Sequence, residues 1–223
     1  MKSVLVIGMG RFGRHLAEKM QQLGNDVMIV DRNASKIDEL APKFTDSYIG
    51  DCTNEGTMRA LGVNNFDVCF VCIGENFQSS LEITALLNDL GAKYIVAKGN
   101  RDIQARFLKS AGAAEVVYPE REIAENLAIR FNSDNIYDCI ELTADYSIFE
   151  IPVLESWTGK SIMAVNVRRD YHINIIAIKK DEVLNPVPGG DYVFEENDHL
   201  VVIGKASDIF RLSSKVKDKK KRR

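Results

Sequence analysis

The chain has 223 residues, 45% apolar and 27% charged, a balance that fits one large or two small globular domains and excludes a disordered or fibrous protein. Its net charge of −3 is uneven: Lys215 to Arg223 holds five lysines, two arginines and one aspartate, or +6, which leaves −9 on the rest. An acidic body argues against general nucleic-acid binding, and no apolar run approaches the roughly 18 residues of a membrane span.

The first apolar run, Val4-Leu5-Val6-Ile7, ends in Gly8-Met9-Gly10-Arg11-Phe12-Gly13 and leads into a helical pattern of Phe12, Leu16, Met20 and Leu23 closed by Gly24. A strand ending in Gly-x-Gly-x-x-Gly turns tightly, lets backbone approach a pyrophosphate, and aims the first amides of a helix at the negative charge. The next run, Val27 to Val30, is closed by Asp31, with Arg32 beside it. That places an acid at about the twenty-residue distance where it accepts hydrogen bonds from an adenosine ribose.

Further strands are expected at Ser47 to Ile49, Val68 to Ile73, Tyr94 to Ala97 and Glu115 to Tyr118, with amphipathic helices between them. Six such strands predict a Rossmann-like, doubly wound parallel sheet whose ligand crevice lies at the strands' carboxyl ends. Asp31, Gly50-Asp51 and Gly74-Glu75-Asn76 all fall at such ends. Of the four cysteines, Cys69 and Cys72 form a Cys-x-x-Cys pair inside Val68 to Ile73. Residues three apart on a strand point to opposite faces and cannot share one ion, so the pair reads as core. Pro119 suits the first turn of another helix, and Glu120 and Glu122 suit its positive end. The apolar face of that helix, Ile123, Leu127 and Phe131, either covers the sheet or reaches a partner subunit.

Polar residues from Asn132 to Asn135 mark a domain boundary, after which the pattern changes. Strands are expected at Cys139 to Leu142, Tyr146 to Val153, Ile173 to Ile178 and His199 to Ile203, with one short helix from Ser161 to Val167. The expected organisation is therefore a nucleotide-binding domain over 1–133, a small α+β domain over 134–214, and a basic tail over 215–223. The tail reads as a solvated, disordered end, or as a contact for an anionic lipid surface or a membrane-bound partner.

Taken together, Val6-Ile7-Gly8-Met9-Gly10-Arg11-Phe12-Gly13, Asp31, Gly50-Asp51-Cys52-Thr53, Lys98 and Tyr118-Pro119-Glu120 resemble the regulator-of-potassium-conductance (RCK) family, in particular its TrkA/KtrA-type cytoplasmic subunits of bacterial potassium transporters. Gly159-Lys160-Ser161-Ile162, Asn166-Val167-Arg168 and Ile173 to Ile178 resemble that family's smaller domain; Cys52 departs from it, since alanine is usual there. The resemblance implies a nucleotide, ATP/ADP or NAD(H), held by Gly8, Met9, Gly10, Arg11, Phe12, Gly13, Asp31, Arg32, Asp51, Cys52, Thr53, Lys98 and Glu120. Arg11 is expected to favour the charged tail of ATP or ADP over the pyrophosphate of NAD. Glu120 is expected beside the phosphates, where a magnesium or monovalent cation suits carboxylate and phosphate oxygens together. For the smaller domain the resemblance implies a cyclic di-AMP site between two copies, with Arg168 and Asn174 as contacts and Ile162 and Ile175 as apolar neighbours.

The same resemblance implies a dimer-based octameric ring, peripheral to the membrane beneath a potassium-transporting partner of the TrkH/KtrB type; the charge balance points away from a nucleic-acid partner, and the lack of a spanning or signal segment points to the cytoplasm. An NAD-dependent oxidoreductase is the competing class. The three histidines, His15, His172 and His199, occupy no recognisable catalytic setting, which argues against an enzyme.

Overall fold

The computed structural model describes residues 1–132, 135–181 and 183–213. The basic tail and two of the boundary residues, Ser133 and Asp134, lie outside that set. The chain separates into two compact units, Met1–Glu122 and Ile123–Arg223.

In the first unit, strands and helices alternate: β1 (Ser3–Ile7), α1 (Arg11–Gln22), β2 (Asp26–Asp31), α2 (Ala34–Leu40), β3 (Asp46–Ile49), α3 (Glu55–Leu61), β4 (Val68–Val71), α4 (Phe77–Asp89), β5 (Ile95–Lys98), α5 (Asp102–Ser110) and β6 (Glu115–Val117). The sheet runs β3-β2-β1-β4-β5-β6 with every pair parallel, the doubly wound order expected. Alternation along the strands sends side chains to two separate cores. Val4, Val6, Val27 and Ile29 pack with α1 and α2, while Leu5, Ile7, Cys69 and Val71 pack with α3, α4 and α5. Cys69 and Cys72 fall in different cores, as the strand spacing requires.

The fourth strand is shorter than expected. It ends at Val71, because its neighbour β1 stops at Ile7 and the chain turns at Gly8, so Cys72 donates its amide to Ile7 and finds no further ladder. This sets Cys72 and Ile73 at the rim of the sheet.

Helix α6 (Pro119–Phe131) straddles the division between the units, and none of its residues is buried. Its predicted apolar face stays open, with Ile123 61%, Leu127 41% and Phe131 78% exposed.

The second unit continues with β7 (Asp138–Glu141), β8 (Tyr146–Pro152), α7 (Ile162–Val165), α8 (Val167–Tyr171), β9 (Asn174–Lys180), β10 (Val183–Asn185), β11 (His199–Lys205) and α9 (Ala206–Ser213). Its antiparallel sheet runs β10-β9-β11-β8-β7. Phe149, Ile151, Leu200 and Val202 alternate inwards onto Trp157, Phe194, Ile209 and Leu212. The single expected helix over Ser161 to Val167 is instead two short helices. Asn166 takes a left-handed conformation (φ 53°) between them, one that asparagine tolerates better than most residues. Strand β10 and helix α9 were not expected.

Candidate functional site

The carboxyl ends of the parallel strands open onto a crevice of about 490 Å³ in the first unit. Each glycine of the opening loop has a separate task there. Gly8 turns the chain at φ 98°, with its amide on the carbonyl of Val30 at 2.8 Å. A side chain at Gly8 would be strained by that φ and crowded by Ile73 and the backbone of Cys72. Gly10 has nothing within 4 Å of where a Cβ would stand, so its backbone is open to an incoming group. Gly13 packs against the backbone of Gly8, whose carbonyl oxygen a Cβ would overlap.

Helix α1 starts at Arg11 with neither a side-chain cap nor an acidic residue in its first turn. The amides that begin a helix have no acceptor within it, so this end is electropositive and in need of an anion. Arg11 lines the crevice beside it and has no ion-pair partner among the described residues.

At the β2 end, the carboxylate of Asp31 is 9% exposed and held by three donors. Met9 donates its amide to Oδ2 at 2.7 Å, Lys36 Nζ donates to the same oxygen at 3.2 Å, and Asn33 donates its amide to Oδ1 at 2.8 Å. Arg32 follows it on the crevice wall. After β3, Asp51 Oδ1 accepts from the amide and hydroxyl of Thr53 at 3.0 and 2.8 Å. Those bonds, the amide first, hold the Asp51 carboxyl below its ordinary range, with a further contribution from Arg32. Both aspartates are therefore fixed as acceptors.

At the far end, Lys98 Nζ, with its side chain 10% exposed, donates to Glu120 Oε1 at 2.5 Å and lies 5.9 Å from the ring centre of Phe12. The bond to Lys98 lowers the Glu120 carboxyl below its usual range, and the charge of Arg11 adds to this. Cys52 and Cys72 line the walls, but burial pushes both thiols up to about 12. Protonated thiols at neutral pH are neither nucleophiles nor metal ligands.

Of the expected nucleotide contacts, Gly8, Gly10, Arg11, Phe12, Asp31, Arg32, Asp51, Cys52, Thr53, Lys98 and Glu120 all line this one crevice. Met9 and Gly13 do not. The Met9 side chain is buried in the core and only its amide serves the site, through Asp31, while Gly13 is used for packing. Sequence reasoning missed Lys36, Ser79 and Asn100. Asn100 donates to the carbonyl of Gly74 at 2.9 Å and so ties the β4 and β5 loops together. None of the three lies in a spacing motif; the fold alone brings them in.

In the second unit, Arg168 Nε donates to Asn174 Oδ1 at 2.7 Å, so these two expected residues do meet. Ile162 and Ile175 are partly buried against the unit's core. Asn174 sits opposite Ile203, and the row continues through Ile148 to Ile140, an apolar strip across the sheet. His15, His172 and His199 are all absent from the lining of the crevice.

Comparison with known proteins identifies the two domains. The TrkA-N domain model matches residues 4–119 and the TrkA-C domain model matches 147–217. The chain is 35% identical over 215 residues to Ktr system potassium uptake protein C of Bacillus subtilis (strain 168), covering 96% of this chain and 97% of that protein. It is 33% identical over 215 residues to Ktr system potassium uptake protein A of the same organism, covering 96% of each. Among solved structures, the GsuK channel bound to NAD superposes with a TM-score of 0.69 at 20% identity, over 97% of this chain and 40% of that one, a likeness of fold. With a TrkA-N domain built round the glycine crevice and a TrkA-C domain after it, the chain belongs to the regulator-of-potassium-conductance family, among its TrkA/KtrA-type regulatory subunits.

Proposed function

We propose that this chain is a ligand-sensing, non-enzymatic regulatory subunit that gates a membrane potassium transporter of the TrkH/KtrB type, with an adenine nucleotide in the crevice as its signal. The observation that carries the reading is an electropositive, uncapped helix start beside the guanidinium of Arg11, which has no ion-pair partner among the described residues, in a crevice that also presents Asp31. That arrangement suits a nucleotide with phosphates at α1 and ribose at β2. Arg11 and Lys98 favour ATP or ADP over NAD(H), because a terminal phosphate offers more charge to a guanidinium than an internal pyrophosphate does. Glu120 already has Lys98 as its cation, so a magnesium or monovalent ion there competes with Lys98 and needs phosphate oxygens to complete its shell.

No histidine and no ionised thiol lines the crevice among the described residues, which supports sensing over hydride chemistry. In this reading residues 1–133 hold the nucleotide and 134–214 form the smaller domain, where Arg168 and Asn174, with Ile162 and Ile175, take cyclic di-AMP between two copies. The open face of α6 supports assembly with further copies, in the reading a dimer-based octamer, cytoplasmic and peripheral beneath its transporter partner. A ligand shifts such an assembly only by binding one arrangement more tightly than another.

Mass spectrometry of the small molecule released from freshly purified protein, with the native mass taken on the same sample, tests this. An adenine nucleotide in an eight-subunit particle is expected. A nicotinamide product accumulating on turnover, or a monomer that carries no nucleotide and accepts none, contradicts it.

A further inference from the structure

The hydrogen bonds of Asp31 leave a gap in how the crevice reads a ribose, and Lys36 fills it. A carboxylate offers about four lone-pair positions, two on each oxygen. In the free chain both positions on Oδ2 are taken, by the Met9 amide at 2.7 Å and Lys36 Nζ at 3.2 Å, and one on Oδ1 is taken by the Asn33 amide at 2.8 Å. The two amides belong to the turn after β1 and the start of α2, so neither moves without the backbone. One position remains for a ligand hydroxyl, whereas a ribose brings two. Lys36 lines the same crevice, its side chain is 37% exposed, and its ammonium has three donors of which Asp31 takes one.

Resting on the nucleotide reading above, we propose that Lys36 is a ribose-reading residue: one ribose hydroxyl donates to Asp31 Oδ1, and the oxygen of the other accepts from Lys36 Nζ, which keeps its bond to Asp31. Lys36 then does two jobs. It neutralises a nearly buried carboxylate while the crevice is empty, and it makes the second hydroxyl a condition of tight binding. A deoxyribose lacks one of these two partners and forfeits a charge-assisted bond, so it is penalised.

Calorimetric titration of the full chain with ATP, 2′-deoxy-ATP and 3′-deoxy-ATP, repeated on Lys36→Met and Lys36→Arg, tests this. Wild-type protein is expected to bind one of the two deoxynucleotides roughly tenfold more weakly through loss of the Lys36 bond. Lys36→Met should bind ATP more weakly by about the same factor yet lose that discrimination, and Lys36→Arg should restore part of it. Equal losses by Lys36→Met for all three ligands would assign Lys36 a bulk charge effect only, and unchanged ATP affinity would remove it from the site; either overturns the proposal while leaving the nucleotide reading intact. Wild-type protein that binds no adenine nucleotide overturns both. Unchanged thermal melting of each variant without ligand confirms that the fold is not the cause of a loss.

Discussion

Gly10 and Gly13 look alike in the sequence and differ in kind once folded. A methyl at Gly13 would overlap the Gly8 carbonyl, a backbone atom that cannot swing aside, whereas a methyl at Gly10 meets open space. Gly13→Ala should therefore cost about 1–3 kcal/mol of stability, the range for an overpacked core position. Gly10→Ala should melt much closer to wild type while weakening nucleotide binding. A thermal melt and a binding titration on each variant separate the two, and the reverse order would contradict the division of tasks. Arg11 supplies a second test. It has no acid to hold among the described residues, so Arg11→Ala should leave the fold intact and weaken ATP more than NAD. Equal losses for the two ligands would contradict the role given to it.

At the level of elements, the parallel sheet was legible because its central strands are apolar runs, and because glycine or an acid marks nearly every carboxyl end. The candidate crevice was legible for the same reason, since strand ends in this topology converge. What escaped was short or depended on contacts. Strand β10 is three residues paired along one edge, and α9 follows β11 directly with no cap signal between them. Lys36 was invisible because its partner Asp31 lies five residues back on a different element, where no helical or strand period links them.

The loop before β11 also escaped. Tyr192 donates its hydroxyl to the fully buried Asp198 at 3.0 Å, and the Glu195 amide reaches the same oxygen at 2.7 Å. Burial first, then the bond to Asp198, pushes the Tyr192 phenol up to about 12. An unfolded tyrosine ionises near about 10. Below that value both states keep the proton and this group leaves stability flat; from about pH 10 towards 12 the unfolded chain alone ionises, so stability falls as pH rises. Denaturant midpoints measured across that window should drop less in Tyr192→Phe than in wild type. Parallel slopes would show that Tyr192 is not the group responsible.

The whole molecule is two units with separate cores, and the proposed nucleotide site lies in the crevice of the first. Ligand that binds only the folded chain stabilises it by about 2.7 kcal/mol at a hundred times its dissociation constant, so nucleotide should raise the melting temperature of the first unit. The apolar residues left open on α6 predict association: Leu127→Asp should reduce the native mass without unfolding either unit, and an unchanged mass would show that this face is not an interface. The most direct measurement is calorimetric titration of ATP into the ligand-stripped protein, alongside Asp31→Ala. Saturable binding by the wild type is expected, with a loss of about tenfold or more in the variant, as a removed charge-assisted ribose contact requires. Absence of any ATP binding by the wild type, or full affinity in Asp31→Ala, would contradict it.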